Sequence, residues 1–250
     1  MEFFLFLVLV AFICEYCDST FGGGYGTIMT PVLMLLGYAP TVIVPCVLFT
    51  ELITGCTAGY FHHEFGNTDL RPGSKDFKTA VALVSCSIFG SILAVSLAVK
   101  IPSIYLKVWI GSIVSSMGLI VLICRNKHFS FSWKRIIGLG SLAAFNKGLS
   151  GGGYGPLVTS GQILSGIKGK HAVGITSLSE GVTCVFGLMT YIIYKGTLNW
   201  KLIVPLLIGS LISVPFSAWT VKKVKLSDLT LGIGILTLVL GLTTLIKLLV

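Results

Sequence analysis

Charge is the scarcest commodity in this chain. Only 11% of its 250 residues are Asp, Glu, Lys or Arg, against about 25% in an ordinary soluble domain. Acidic residues are scarcer still, nine against eighteen Lys and Arg. With 54% apolar residues and a mean hydropathy of +0.94, the chain carries more apolar surface than one water-facing core can hide. The same figures exclude disorder. Seven cysteines, most inside apolar runs, do not make a disulfide scaffold. There is no G-x-x-x-x-G-K-[ST] loop, which excludes ATP drive within these residues. No stretch interleaves aromatic with basic residues, so a nucleic-acid partner is not expected. No cofactor motif, metal-ligand spacing or complete catalytic constellation occurs, so neither a cofactor, a metal nor an enzyme is expected. What remains is an all-α integral membrane protein in a lipid bilayer.

The net charge of +9 sits mainly in short loops between apolar runs, where it sets topology and meets anionic headgroups. The runs cover residues 40–61, 79–99, 105–124, 171–194, 202–221 and 229–246. Each approaches the ~20 residues a membrane-spanning helix needs, and none shows the period of two that a β-barrel requires. Two further stretches are apolar but broken in the middle, 3–36 and 136–164. The first lacks a basic n-region and a small-x-small cleavage site, so it reads as part of the folded protein.

The breaks repeat. Gly22-Gly23-Gly24-Tyr25-Gly26 recurs as Gly151-Gly152-Gly153-Tyr154-Gly155, 129 positions later. The same offset pairs Glu51 with Glu180, Thr54 with Thr183, Gly37 with Gly166, and Asp18 with Lys147; an offset of 119 pairs Gly90-Ser91 with Gly209-Ser210. Two homologous halves follow, residues 1–128 and 129–250. If each broken segment is a re-entrant hairpin, each half crosses three times and the second half is inverted. One side then holds twelve basic residues: Arg71, Lys75, Lys78, Arg125, Lys127, Lys134, Arg135, Lys168, Lys170, Lys222, Lys223 and Lys225. The other holds five: Lys100, Lys107, Lys195, Lys201 and Lys247. Full crossings would reduce the bias to seven against ten. The positive-inside rule therefore favours inverted repeats, each a re-entrant hairpin plus three transmembrane helices. The halves of the second broken segment, about ten residues each, would reach ~15 Å, half the bilayer; the first half of the N-terminal segment is longer, and a full crossing there is the alternative.

Consecutive glycines at membrane depth leave backbone groups unpaired unless they line a cavity or bury in protein. They also admit a ligand close to backbone N–H groups. Helices starting after each cluster would aim positive dipole ends at it, and two such ends meeting at the midplane make an anion site. The candidate substrate-binding residues are Gly22, Gly23, Gly24, Tyr25, Gly151, Gly152, Gly153, Tyr154 and Lys147. The competing reading is tight helix packing by small residues. Lys147 reads as a point charge for an anion, as the partner of Asp18 in an ion pair, or as both. Glu51 and Glu180, intramembrane carboxylates at equivalent positions, are candidate coupling residues with Thr54 and Thr183, for H⁺ or Na⁺. His171 reads as interfacial, Cys14 and Cys17 as packing, His62-His63-Glu64 as a loop or interface feature, and Trp109, Trp133, Trp200 and Trp219 as interfacial anchors.

The duplicated Gly-Gly-Gly-Tyr-Gly motif after broken apolar segments resembles the TauE/SafE family of sulfite exporters. Pro31-x-Leu33 and the helix-closing Gly66-Asn67-Thr68-Asp69 and Gly196-Thr197-Leu198-Asn199-Trp200 extend the likeness over almost the whole chain. Two departures separate the halves: Ser160 stands where Pro31 has its counterpart, and Gly174-Ile175-Thr176-Ser177 faces an unlike Pro45-Cys46-Val47-Leu48. The resemblance implies a multi-pass transporter in the cell membrane, exporting a small sulfur anion such as sulfite or an organosulfonate. A passive anion channel of the same architecture is the alternative, and a membrane enzyme a weaker one. Nothing in the pattern specifies an oligomeric state.

Overall fold

The computed structural model describes residues 2–38, 40–98, 103–124, 130–150, 153–195 and 198–246. Ten helices follow one another among the described residues: α1 Glu2–Phe21, α2 Tyr25–Leu35, α3 Pro40–Glu64, α4 Lys75–Ala98, α5 Ser103–Cys124, α6 Trp133–Ser150, α7 Tyr154–Leu164, α8 Gly169–Lys195, α9 Trp200–Lys223 and α10 Leu226–Ile246. No strand occurs among the described residues. Among the described residues, four stretches are long and apolar enough to cross a membrane: Glu2–Phe21, Val42–Glu64, Gly169–Ile193 and Trp200–Lys223. Their outward faces carry exposed Leu5, Leu9, Ile13, Ile193, Ile208, Ile212 and Phe216. In water that would be costly, and against lipid it is the expected surface.

Small residues set how the helices meet. An added Cβ on Gly55 of α3 would fall 2.8 Å from Gly181 Cα of α8, and one on Gly59 would meet Leu178. The α3–α8 pair therefore runs antiparallel, at near backbone contact. The α5–α10 pair is also antiparallel, Gly111 lying against Leu245 and Gly118 against Leu238. Two other pairs run parallel. Gly209 of α9 rests on Val8 and Ala11 of α1, with Phe12 tilted on Phe216 further along. On the opposite flank, Leu83 of α4 rests on Gly140 of α6, and Gly90 on Ala144. Gly90 and Gly209, paired in sequence at an offset of 119, thus each pack close against a neighbouring helix, Gly90 on α6 and Gly209 on α1.

Each broken segment folds back on itself. Leu7 of α1 and Leu33 of α2 share one apolar cluster with Ile43, Leu202 and Ile203, at the end where α3 and α9 begin. Likewise the Arg135 guanidinium at the start of α6 donates to the carbonyl of Leu164 at the end of α7. Only the returning arms are short, 11 residues each in α2 and α7, whereas α1 has 20 and α6 has 18. The expectation of about ten residues per half of the second broken segment fails for α6, while α1 is the longer first half expected of the N-terminal segment. The Ser19 carbonyl near the end of α1 accepts from the His62 ring near the far end of α3, so α1 runs well past the middle before turning.

The α5–α10 contact offers a packing test. Gly118→Ala would place a methyl carbon 2.7 Å from Leu238 Cα. It should destabilise the protein by about 1–3 kcal/mol, the usual cost of overpacking. Gly138→Ala meets nothing within 4 Å and should be neutral or stabilising by up to about 1 kcal/mol, through helix propensity. Unfolding midpoints of both variants in detergent check this.

Candidate functional site

The two turns meet tip to tip. Gly22, Gly23 and Gly24 take φ of 75°, 154° and 141°, and Gly153 takes 73°. These values exclude ordinary side chains. At Gly22 a Cβ would also run into Thr159 of the other turn. The Thr159 hydroxyl donates to the Gly22 carbonyl, and the Gly153 amide donates to Thr27 Oγ1 at 3.2 Å. Gly155 sits so close to Gly23 that a Cβ would fall 2.5 Å from its Cα. Gly151 and Gly152 lie outside the described residues. All of the described break residues, with Tyr25 and Tyr154, are buried.

Beside this junction lies a charged centre. Lys147, in the last turn of α6 where a cation suits the helix dipole, reaches across to both halves. Its Nζ donates to Glu180 Oε1 at 2.8 Å and to Glu51 Oε2 at 3.2 Å. The three side chains are only 4%, 5% and 8% exposed for Lys147, Glu51 and Glu180. Glu51 and Glu180 arrive from the midpoints of α3 and α8, brought together by the close crossing at Gly55 and Gly181. Lys147 also lies 5.4 Å from the Tyr154 ring centre. Of the two readings of Lys147, pairing with Asp18 is therefore corrected. Asp18 Oδ1 instead accepts the Tyr25 amide at 2.9 Å.

The helix starts are already occupied by carboxylates. At the start of α2, Asp18 takes the Tyr25 amide and Glu51 Oε1 takes the Gly26 amide at 3.1 Å. At the start of α7, Glu180 Oε2 lies against Gly155 and accepts no well-formed hydrogen bond. Each helix N-terminus thus holds an anion, as its dipole and free N–H groups favour, and that anion belongs to the protein. A separate cavity of about 610 Å³ between α4 and α6, lined by residues including Ser85, Cys86, Gly90 and Phe145, touches none of these groups.

The threonines read beside the glutamates bond elsewhere. Thr183 donates to Ser87 Oγ at 2.9 Å, and Thr54 donates to Glu15 Oε2 at 3.0 Å. Glu15 is a buried carboxylate that the sequence reading passed over; its signal was an acid inside the apolar stretch of α1. His62 is another correction. It is fully buried, its Nε2 donating to the Ser19 carbonyl at 2.9 Å and its Nδ1 accepting from Asn67 at 3.1 Å. Asn67 donates again to the Ala218 carbonyl, so this histidine fastens α1, α3 and α9 together. His63 is half-buried and Glu64 exposed. Cys14 and Cys17 are free thiols, the first buried. Trp133, Trp200 and Trp219 are exposed near helix ends.

At the basic end of the bundle, His171 Nδ1 bonds Asp76 Oδ2, tying the start of α8 to the start of α4. Half-burial pushes the Asp76 carboxyl up, but bonds from His171, the Asp69 amide and Thr68 outweigh it and hold it below its ordinary range.

Residues 7–244 match the family described as Sulfite exporter TauE/SafE. The chain is similar, at 30% identity over 233 residues, to the Probable membrane transporter protein YtnM of Bacillus subtilis (strain 168), covering 87% of this chain and 75% of that protein. No solved structure matches it.

Two outcomes follow from these contacts. Lys147→Met leaves two buried carboxylates facing each other unpaired and should cost about 3–5 kcal/mol. Adding Glu51→Gln and Glu180→Gln should recover most of that loss, a coupling that unfolding midpoints of the full variant set will read. Asp76→Asn should lower the midpoint at neutral pH. A carboxyl held below its unfolded value stabilises fully above the ordinary range near ~4, and that contribution fades as pH falls through its folded value. The gap between wild type and variant should close in acid, as a pH series of melting curves will show.

Proposed function

The chain belongs to the TauE/SafE sulfite exporter family, and we propose that it is an ion-coupled secondary transporter whose substrate, sulfite or an organosulfonate, binds where the two glycine turns meet. The observation that carries this reading is the occupancy of the anion-binding groups. The α2 amides and the Lys147 ammonium are held by Glu51, Asp18 and Glu180. These are the groups a small oxyanion would seek. An incoming substrate takes Lys147 and the amides by displacing the two glutamates. The displaced carboxylates cannot stay charged and unpaired in so dry a place, so each takes up a proton or a metal cation as the anion arrives. Substrate and coupling ion are then linked through one exchange of partners, and Gly22–Gly24, Tyr25, Gly151–Gly153 and Tyr154 form the walls.

Alternating access rests on inverted repeats, residues 1–128 and 129–250. Counterpart helices α3 and α8 cross antiparallel, as do α5 and α10, while α1 lies parallel on α9 and α6 parallel on α4. A two-fold axis lying in the membrane plane relates such an arrangement, and rocking one half against the other exposes the shared site to each side in turn. The loop ends at residues 65–74, 130–132, 165–168 and 224–225 gather at one end of the bundle. Their basic residues assign that end to the cytoplasm of a multi-pass protein in the cell membrane. This reading involves no bond-making chemistry.

The test is flux in proteoliposomes, with sulfite, organosulfonates and carboxylates compared under imposed proton and sodium gradients. Wild type should accumulate a sulfur anion when one gradient is imposed. Glu51→Gln and Glu180→Gln should lose gradient-driven accumulation by roughly tenfold or more while retaining exchange of bound substrate. Flux that ignores every gradient in wild type and variants alike would make the protein a passive channel.

A further inference from the structure

Four carboxyl groups are buried near the turns, and three of them have a positive partner. Glu51 has Lys147 and the Gly26 amide, Glu180 has Lys147, and Asp18 has the Tyr25 amide at the start of α2. Glu15 has neither an ammonium nor a helix start among the described residues. It is 1% exposed, and its two oxygens accept only from the neutral hydroxyls of Ser19 and Thr54. A buried carboxylate without a cationic partner is costly.

Beside it lie oxygen atoms that are also unsatisfied. The Tyr25 hydroxyl, fully buried, is within electrostatic reach of Glu15 and faces Ser210. Neither it nor the hydroxyls of Ser210 and Ser213, both fully buried one turn apart on α9, makes a well-formed hydrogen bond. The second half shows what this place looks like when it is closed. As Tyr25 faces Ser210 in the first half, the Tyr154 hydroxyl meets Ser87 in the second, and there both it and Thr183 bond Ser87. Ala144, fully buried, stands where the first half has Glu15.

We propose that Glu15, Tyr25, Thr54, Ser210 and Ser213 form a site for one dehydrated monovalent cation of sodium size, present in the first half only and separate from the Lys147 centre. A proton on Glu15 would remove the charge but leave three hydroxyl oxygens unpaired. A water molecule would pair the hydroxyls but leave the charge. A cation ligated by one carboxylate and several neutral oxygens answers both, since hydroxyls donating to Glu15 still have lone pairs to offer. One carboxylate balances a single positive charge, whereas calcium sites typically draw on several carboxylates and magnesium keeps its waters. The site lies in the last turns of α1, whose dipole end favours a cation. Filling it would tie α1, α2, α3 and α9 together beside the turn that holds Gly22–Gly24. This assignment rests on the transporter reading only for its role in coupling, and not for the binding of the ion.

The test is sodium binding to the purified full chain in detergent, with no sulfur anion present. Bound ²²Na⁺ is counted, and the unfolding midpoint is followed as NaCl replaces N-methylglucamine chloride at constant chloride. Wild type should bind sodium saturably, one ion per chain, and its midpoint should rise with sodium. Glu15→Gln should lose roughly tenfold or more in affinity, and Ser213→Ala several-fold, the latter serving if the former fails to fold. Sodium and N-methylglucamine acting alike on wild type, or a midpoint that follows pH alone, would overturn the proposal. So would wild-type affinity in Glu15→Gln. Sodium binding without flux of any sulfur anion would uphold the cation site and remove the transporter reading. Flux without sodium binding would do the reverse.

Discussion

One ammonium shared between two carboxylates organises the centre of this protein. Lys147 comes from the end of α6, Glu51 from the middle of α3 and Glu180 from the middle of α8, so a single group joins three helices from both halves of the chain. In hydrocarbon each of these charges alone would be prohibitive. Their mutual pairing makes burial tolerable only while the three helices keep their places, which turns a local ion pair into a constraint on the whole bundle. The helix starts of α2 and α7 join the same constraint: the Gly26 amide of α2 holds the outer oxygen of Glu51, and the start of α7 lies against that of Glu180. Charge in this chain is rare, and most of what is buried sits within reach of the two turns.

That concentration depends on residues with no charge at all. Glu51 and Glu180 can share one ammonium because Gly55 and Gly181 bring α3 and α8 to backbone contact. The turns can meet because Gly22 and Gly153 adopt left-handed backbone, and because Gly23 and Gly155 have no side chain to hold them apart. Glycine therefore does two different things here, closing helix on helix in the bundle and bending the chain at its centre. Membrane helices lack the hydrophobic drive that assembles soluble bundles, so such close packing carries the burden of association.

Much of this architecture was legible in the sequence, because the signals were local or periodic. Apolar runs near 20 residues, the duplicated glycine motif and the equivalent positions of Glu51 and Glu180 are all visible without a fold. The partner of Lys147 was not. Aligning the halves set Lys147 opposite Asp18, and it was natural to join equivalent residues. In the fold Lys147 meets the two glutamates, which are not its equivalents, while Asp18 turns to its own helix start. Glu15 escaped for a related reason. Its counterpart is Ala144, so a search for matched pairs passed over the acid that has no match. The first arm of the second broken segment was read as too short because Asn146 and Lys147 broke the apolar run, although α6 continues through them.

The reversal of charge between Asp18 and Lys147 has a thermodynamic consequence. An inverted pair of identical halves would present mirror-image states to the two sides of the membrane, equal in energy by symmetry. Here the place just before each turn is acidic in one half and basic in the other, and Glu15 deepens the difference. On the proposed alternating-access mechanism, the two orientations of such a molecule would not be degenerate, and the resting conformer would be biased toward one face even without a gradient. Substrate affinity would then differ between the two faces, and flux would saturate at different concentrations in the two directions. A pseudo-symmetric scaffold with antisymmetric electrostatics would behave as a rectifier.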